Sequence, residues 1–263
     1  MGKQNMMAHR TTCRTGSYIV AALLGLLSMS NALVAVPIEL VELDSFTWTQ
    51  RNIIKNYMAS SNTIGKSNSL VIADTDKRGI VRTYVALSRP GTGKLVVSKE
   101  NMAQDTREAA FIAYQALIDV LAQKYNCHHH NTTDIHLFYG ASHVEMPSVG
   151  VAISVSIAST LTQRSINQHY AMTGVIDREG NVCAIGRVQA KILAAKKQGI
   201  THVIIPESNL KNLKNCPELL AGMNIIPVHH ISEVLEYVLL PETTTAAPTT
   251  LLPTVPTTLL LCA

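Results

Sequence analysis

Residues 188–206 read VQAKILAAKKQGITHVIIP. Val188, Ile192 and Ala195 recur at helical spacing, so 188–198 is predicted to be an amphipathic helix. Gly199 suits the left-handed position that ends a helix. Thr201–Ile205 is β-branched and apolar, a buried strand stopped by Pro206. Asn224–Val228 repeats the strand signal, and Ser232 is placed to cap a last helix, Glu233–Leu239. Helix, strand, helix-like segment, strand, helix in succession is the pattern of an α/β fold. One residue breaks the pattern. Lys191 lies three residues after Val188 and four before Ala195, on the apolar stripe. A lysine so placed either snorkels out or is held inside. Held inside, its ammonium is disfavoured, and a neutral amine is a general base.

Upstream, Val149–Leu161 (VGVAISVSIASTL) is small and apolar on all sides, which describes a fully buried helix. Ser148 stands at its start, where free N–H groups and the positive end of the helix dipole would meet an oxyanion. The same serine can equally serve as a plain cap. Residues 68–89 alternate and are rich in β-branched types, giving two strands around a turn at 74–79. Pro90–Gly93 is a turn and 94–97 a short strand. Residues 102–125 carry a helical stripe of Ala109, Ile112, Ala113, Leu117, Val120 and Leu121. Asp134–Tyr139 is strand-like. His169–Ile176 and Val182–Ile185 read as two strands joined by a turn at 178–181.

Composition narrows the function classes. The 263 residues hold 22 basic and 18 acidic side chains, but Lys3, Arg10 and Arg14 lie in an acid-free leader, leaving 19 against 18. No chain-wide basic field for nucleic acid exists. With 47% hydrophobic residues and 15% charged, the chain is not a disordered one. A single Trp and three Phe provide no aromatic stacking surface for bases.

The ends differ from the middle. Basic residues, the apolar run 18–27 (YIVAALLGLL) and Ser30-Asn31-Ala32 follow the order of a secretory signal peptide. An uncleaved membrane anchor over 17–36 fits as well. Either places the remainder outside the cytoplasm, secreted or membrane-tethered. Residues 241–263 are Thr- and Pro-rich and form a tail or an O-glycosylated stalk. The expected organisation is a signal or anchor over 1–32, a connecting segment over 33–67, one domain over 68–240 and the tail. Cys127, Cys183, Cys216 and Cys262 allow three pairings, with Cys183 expected as a buried thiol. Asn131-Thr132-Thr133 is a glycosylation sequon. Cys127-His128-His129-His130 has no second cluster at ligand spacing, so neither metal nor cofactor is expected.

Taken in order, these segments resemble the proteolytic domain of Lon proteases, the Ser-Lys peptidase family, over roughly residues 68–240. Pro90-Gly91-Thr92-Gly93-Lys94-Leu95 resembles the family's PGxGKL hairpin, and Asp134-Ile135-His136 its DIH strand. Glu145-Met146-Pro147-Ser148-Val149-Gly150 resembles the nucleophile segment. Ala171-Met172-Thr173-Gly174 is identical to the family's AMTG. Residues 180–195 resemble GxVLPIGGLKEKLLAA, with Lys191 on its second lysine, and 199–206 resemble GIKTVLIP. The resemblance implies the ribosomal protein S5 domain 2-like α/β fold and acyl-enzyme peptide hydrolysis on polypeptide substrates. It implies Ser148 as nucleophile, Lys191 as base, Thr173 as the lysine's hydrogen-bond partner and Glu145 as a modulating acid. It also implies a homo-oligomer. Val175, Arg187 and Phe138 replace an acid, a glycine and a histidine of the family pattern, and the loop before Ser148 is short. The family's usual ATPase has no counterpart in these residues. Gly93-Lys94 is followed by Leu95, and Ser88 stands where a phosphate loop needs glycine. ATP-independent action on flexible or unfolded polypeptides is therefore expected. A binding module that has lost catalysis and a self-processing protease are the alternatives.

Overall fold

A computed structural model describes residues 38–73, 77–100, 102–139 and 147–241. The signal or anchor over 1–32, nearly all of the Thr/Pro tail, Cys262 and Glu145 lie outside the described residues. Among the described residues no helix is long and apolar enough to cross a membrane.

The elements in chain order are β1 (Glu39–Leu43), α1 (Trp48–Ala59), β2 (Lys66–Ile72), β3 (Gly79–Pro90), β4 (Lys94–Ser98), α2 (Gln104–Tyr125), β5 (Thr133–Tyr139), α3 (Gly150–Thr162), β6 (Tyr170–Met172), β7 (Val175–Ile176), β8 (Val182–Cys183), α4 (Val188–Lys197), β9 (His202–Pro206), α5 (Pro217–Leu220), β10 (Asn224–Val228) and α6 (Ile231–Val238). Eight strands form one sheet in the order β1-β4-β5-β3-β2-β6-β9-β10, and β7-β8 is a separate hairpin. Within the eight-stranded sheet only the β5-β3 and β3-β2 pairs are antiparallel. The α/β class expected above holds.

Period-2 alternation sorts the side chains between two faces. Val71, Tyr84, Ala86, Leu137, Met172 and Ile204 face α2, α3 and α6. Leu70, Val81, Ala171, Val203 and Ile205 face α4. Val85 and Phe138, on the α4 side, lie under Phe46 and α1. Phe138 thus has a packing role here, with its ring 4.6 Å from that of Phe46.

Helix α3 is buried from Gly150 to Leu161, as its composition predicts. Its hydroxyls fix it to the sheet. Ser67 Oγ donates to Ala152 O at 2.7 Å and lies 2.7 Å from Ser156 Oγ. Thr160 Oγ1 donates to Ala86 O at 2.8 Å. Ser156 and Ser159 likewise donate to the Tyr84 and Arg164 carbonyls, which is what allows these hydroxyls in a core.

Five expectations need correction. Residues 33–67 are not merely a connection, for β1 pairs in parallel with β4 and α1 covers the sheet. The 90–93 turn is not a hairpin, because β5 lies between β3 and β4. The turn is instead stapled over the start of β5, where Asp134 Oδ1 accepts from Thr92 N at 2.8 Å and Lys94 N at 2.9 Å. Gly91 permits this, since a Cβ there would meet the Asp134 carboxylate at 2.1 Å. The 169–176 segment is two strands, broken at Thr173-Gly174. The last helix is capped by His230, whose ring accepts from Ser232 N at 3.2 Å, and not by Ser232. Cys183 is only half-buried, because its strand belongs to the small β7-β8 hairpin and not to the main sheet.

Candidate active site

The break at Thr173-Gly174 builds the site. Strand β6 pairs with β2 only through Ser69 and Met172. Beyond that pair the chain stays with β9, Thr173 N donating to Ile204 O at 3.1 Å, and then turns to the start of α3. Gly174 N donates to Ser148 O at 2.9 Å, and Gly174 O accepts from Val151 N at 3.2 Å. A side chain on Gly174 would strike Val151 and Val182, both at 2.7 Å. This glycine is therefore required for closeness.

Ser148 sits in a single helical turn, Pro147–Val149, that leads into α3, and is 5% exposed. Lys191 comes from α4, on the opposite face of the sheet. Its side chain crosses the sheet plane past the last β2-β6 pair, and of the two alternatives the apolar stripe left open it takes the second: it is held inside, fully buried. Lys191 Nζ donates to Ser148 Oγ at 2.7 Å and to Thr173 Oγ1 at 3.0 Å. Thr173 Oγ1 in turn donates to Ser148 O at 3.2 Å. The three residues form one closed hydrogen-bonded unit assembled from three elements. Lys196 and Lys197, on the same helix, point away, and Lys196 Nζ donates to the Glu218 and Leu219 carbonyls.

Electrostatics follow from the geometry. Burial alone pulls the Lys191 ammonium down from 10.5 to about 7. Near neutrality a large fraction of the amine is unprotonated and can accept a proton from a hydroxyl 2.7 Å away. The start of α3, with its positive dipole end, abuts the same hydroxyl.

Other candidates lie elsewhere. His136 is on the α1 side of the sheet, away from Ser148, and burial followed by the Arg89 charge pulls it down to about 4. In the 127–130 run, Cys127 and His130 are buried while His128 and His129 are exposed, so the side chains diverge. Among the described residues no group of three His, Cys, Asp or Glu converges on a metal site. Val175 is half-buried in β7. Arg187 takes the left-handed conformation (φ 55°) at the start of α4, which accounts for a glycine at that place in the family pattern.

Thr173 affords a test of the unit. Thr173→Val removes an acceptor from Lys191 and a donor from Ser148 O while keeping the shape. A fall in kcat of roughly 10- to 100-fold is expected, with Thr173→Ser restoring most of it. Full activity in the valine variant, measured on a fluorogenic peptide, would show that Thr173 only fills space.

A buried hydroxyl–amine pair thus stands at a helix start, reached through a gap in an α/β sheet. Comparison with known proteins gives the family. The sequence profile of the Lon protease (S16) C-terminal proteolytic domain matches residues 42–241, and the chain belongs to that family. It is 34% identical over 183 residues to the Lon protease of Rickettsia bellii (strain RML369-C), covering 68% of this chain and 23% of that protein. It is 34% identical over 182 residues to the Lon protease of Vibrio parahaemolyticus serotype O3:K6 (strain RIMD 2210633), covering 68% and 23%. Lon protease 2 of Desulfotalea psychrophila (strain LSv54 / DSM 12343) is 33% identical over 172 residues, covering 64% and 22%. The chain spans under a quarter of the length of these relatives.

Proposed function

We propose that this chain is a serine endopeptidase that hydrolyses flexible polypeptides through a Ser148-Lys191 dyad, without ATP and outside the cytoplasm. The observation that carries the reading is the 2.7 Å contact between a buried Lys191 amine and the Ser148 hydroxyl. Neutral Lys191 takes the Ser148 proton as Oγ attacks the peptide carbonyl carbon. Backbone N–H groups at the start of α3 receive the developing oxyanion. The tetrahedral intermediate then collapses, the peptide C–N bond breaks and Lys191 passes its proton to the departing amine. Water, deprotonated by Lys191, opens the Ser148 ester, and Oγ regains its proton. Thr173 holds the amine in line through both halves.

ATP independence is supported by Gly93-Lys94, which lies in the turn held by Asp134 and so serves a structural purpose. Action outside the cytoplasm is supported by the basic-then-apolar order of residues 3–27. The test uses the full chain, an unfolded reduced and alkylated model protein, and a peptidyl boronate or fluorophosphonate. Cleavage without nucleotide and a covalent adduct on Ser148 by intact mass are expected. Neither cleavage nor adduct would leave a binding module. Cleavage confined to the chain itself would leave a self-processing protease.

A further inference from the structure

The depth at which Lys191 enters the sheet must be set by whatever lies under its helix. The first residue of β3 is in direct contact with the backbone of α4. A Cβ built on Gly79 would lie 2.0 Å from Ala190 O, 2.5 Å from Ala190 C and 3.0 Å from Lys191 N. Gly79 does not have a left-handed φ, so the turn before it does not demand glycine. What demands glycine is room. We propose that Gly79 is a positioning residue, its bare Cα letting α4 settle against β3 at the depth where the Lys191 amine meets Ser148. The proposal rests on the peptidase reading and extends it to a residue outside the dyad and its Thr173 partner.

Neither side of this contact can yield easily. Gly79 pairs with Ile72 at the end of the β2-β3 ladder. The turn behind it is closed by Ala73 N donating to Arg78 O at 2.8 Å and Lys77 N donating to Ala73 O at 3.0 Å. On the helix, Val188, Ile192 and Ala195 are packed on Leu70 and Val81. The atom in the way is a backbone carbonyl, so no rotamer change relieves the clash. Raising the 2.0 Å approach to the shortest contact real Cβ atoms show, 3.0 Å, needs a shift of at least 1 Å. A displacement of that size, directed away from Ser148, is enough to carry the amine from 2.7 Å out of hydrogen-bonding distance of Oγ. Misplacement of a catalytic group by about 1 Å can cost on the order of 10²-fold in rate.

The groups facing the Lys191 amine in the described residues are the Ser148 and Thr173 hydroxyls, both uncharged. A change in its titration therefore reports position and dryness. The experiment compares the full-length wild type with Gly79→Ala. Expected are a fall in kcat of about 10²-fold with KM within roughly 3-fold. An upward shift in the pH at which kcat is half-maximal is expected as well. Lysine labelled with 13C at Cε reads Lys191 directly by NMR, its signal assigned by its loss in Lys191→Met. In Gly79→Ala that signal should titrate at higher pH than in the wild type. Should Gly79→Ala fail to fold, Val81→Leu thickens the same layer under α4 more gently, and a smaller change in the same directions is expected. An unchanged Lys191 titration in a folded Gly79→Ala or Val81→Leu chain overturns the proposal, even where activity or melting temperature has dropped. An inactive wild type would sink the peptidase reading alone, and the lysine titration would still decide the role of Gly79.

Discussion

Replacing Lys191 by methionine is expected to lower kcat by about 10⁴-fold and at the same time to stabilise the fold at neutral and acidic pH. The first effect follows from losing the base. The second follows from what burial does to the amine. In the unfolded chain the lysine holds its proton to about 10.5, whereas in the folded chain it releases it near 7. Below pH 7 both states are protonated and the fold bears the full penalty, on the order of 5 kcal/mol at most from the size of the shift. Between pH 7 and 10.5 the unfolded state binds the extra proton, so folding becomes more favourable as pH rises, by up to about 1.4 kcal/mol per unit. Above that range both states are neutral and the penalty is gone. Methionine fills the same channel without an ionisable group, at the cost of about 1 kcal/mol for the hydrogen bonds lost at Ser148 and Thr173. Urea unfolding of both proteins across pH 6–10 checks this. The wild-type curve should approach the methionine curve as pH rises, and the difference isolates Lys191 from the other titrating groups. Parallel curves would mean that the amine is solvated. The same titration sets the activity profile. In the wild type kcat should rise through about pH 7 as the base becomes neutral.

The residues that carry this prediction were legible in the sequence because helical periodicity is a local property. Lys191 among Val188, Ile192 and Ala195 was placed on the apolar stripe by spacing alone, with snorkelling and burial both open to its amine. Val149–Leu161 implied a helix with no solvated face. The distance between Ser148 and Lys191 was not local. They are 43 residues apart and lie on opposite faces of the sheet. Their meeting depends on the β2-β6 pairing stopping after one pair of residues, which period-2 alternation through 169–176 hides. Only the family resemblance brought them together in advance. The register of Gly79 against Ala190 carries no sequence signal beyond the glycine itself.

The misread elements each have their own cause. Helix α1 has a weak apolar stripe, and its buried Gln50 is occupied with the helix start. Thr47 and Gln50 form a reciprocal capping box, with Thr47 N donating to Gln50 Oε1 at 2.7 Å and Gln50 N to Thr47 Oγ1 at 3.3 Å. The pattern Thr-x-x-Gln was there to be read. The turn at 90–93 looked like a hairpin because Gly-rich tetrapeptides usually close one, and the strand that enters between its arms begins forty residues later. At the last helix, Ser232 and His230 compete for one cap, and the ring wins because it also reaches Glu179 O at 3.0 Å and ties down the β7-β8 turn.

Ser148→Ala should lower kcat by about as much as Lys191→Met does, and the double variant should be no worse than either single one. The reason is that the proton transfer and the attack are one event, so removing either participant removes both contributions. Independent contributions would instead multiply, giving a double variant poorer by a further several orders of magnitude. Residual turnover above the uncatalysed rate should persist in all three. The start of α3 still presents its N–H groups, and the carbonyl held there is still polarised. Peptide affinity should change little, because Ser148 is nearly buried and offers substrate only its reacting atom. Deleting Oγ leaves the Lys191 amine still donating to Thr173 Oγ1 at 3.0 Å. Burial continues to depress its titration, so Lys191 should still lose its proton near neutrality in the alanine variant. Single-turnover kinetics on a fluorogenic peptide, with binding read separately by anisotropy, measures both halves. A Ser148→Ala chain that retains more than about a tenth of wild-type turnover would place the nucleophile elsewhere. A double variant far weaker than both singles would mean that the two side chains act in separate steps.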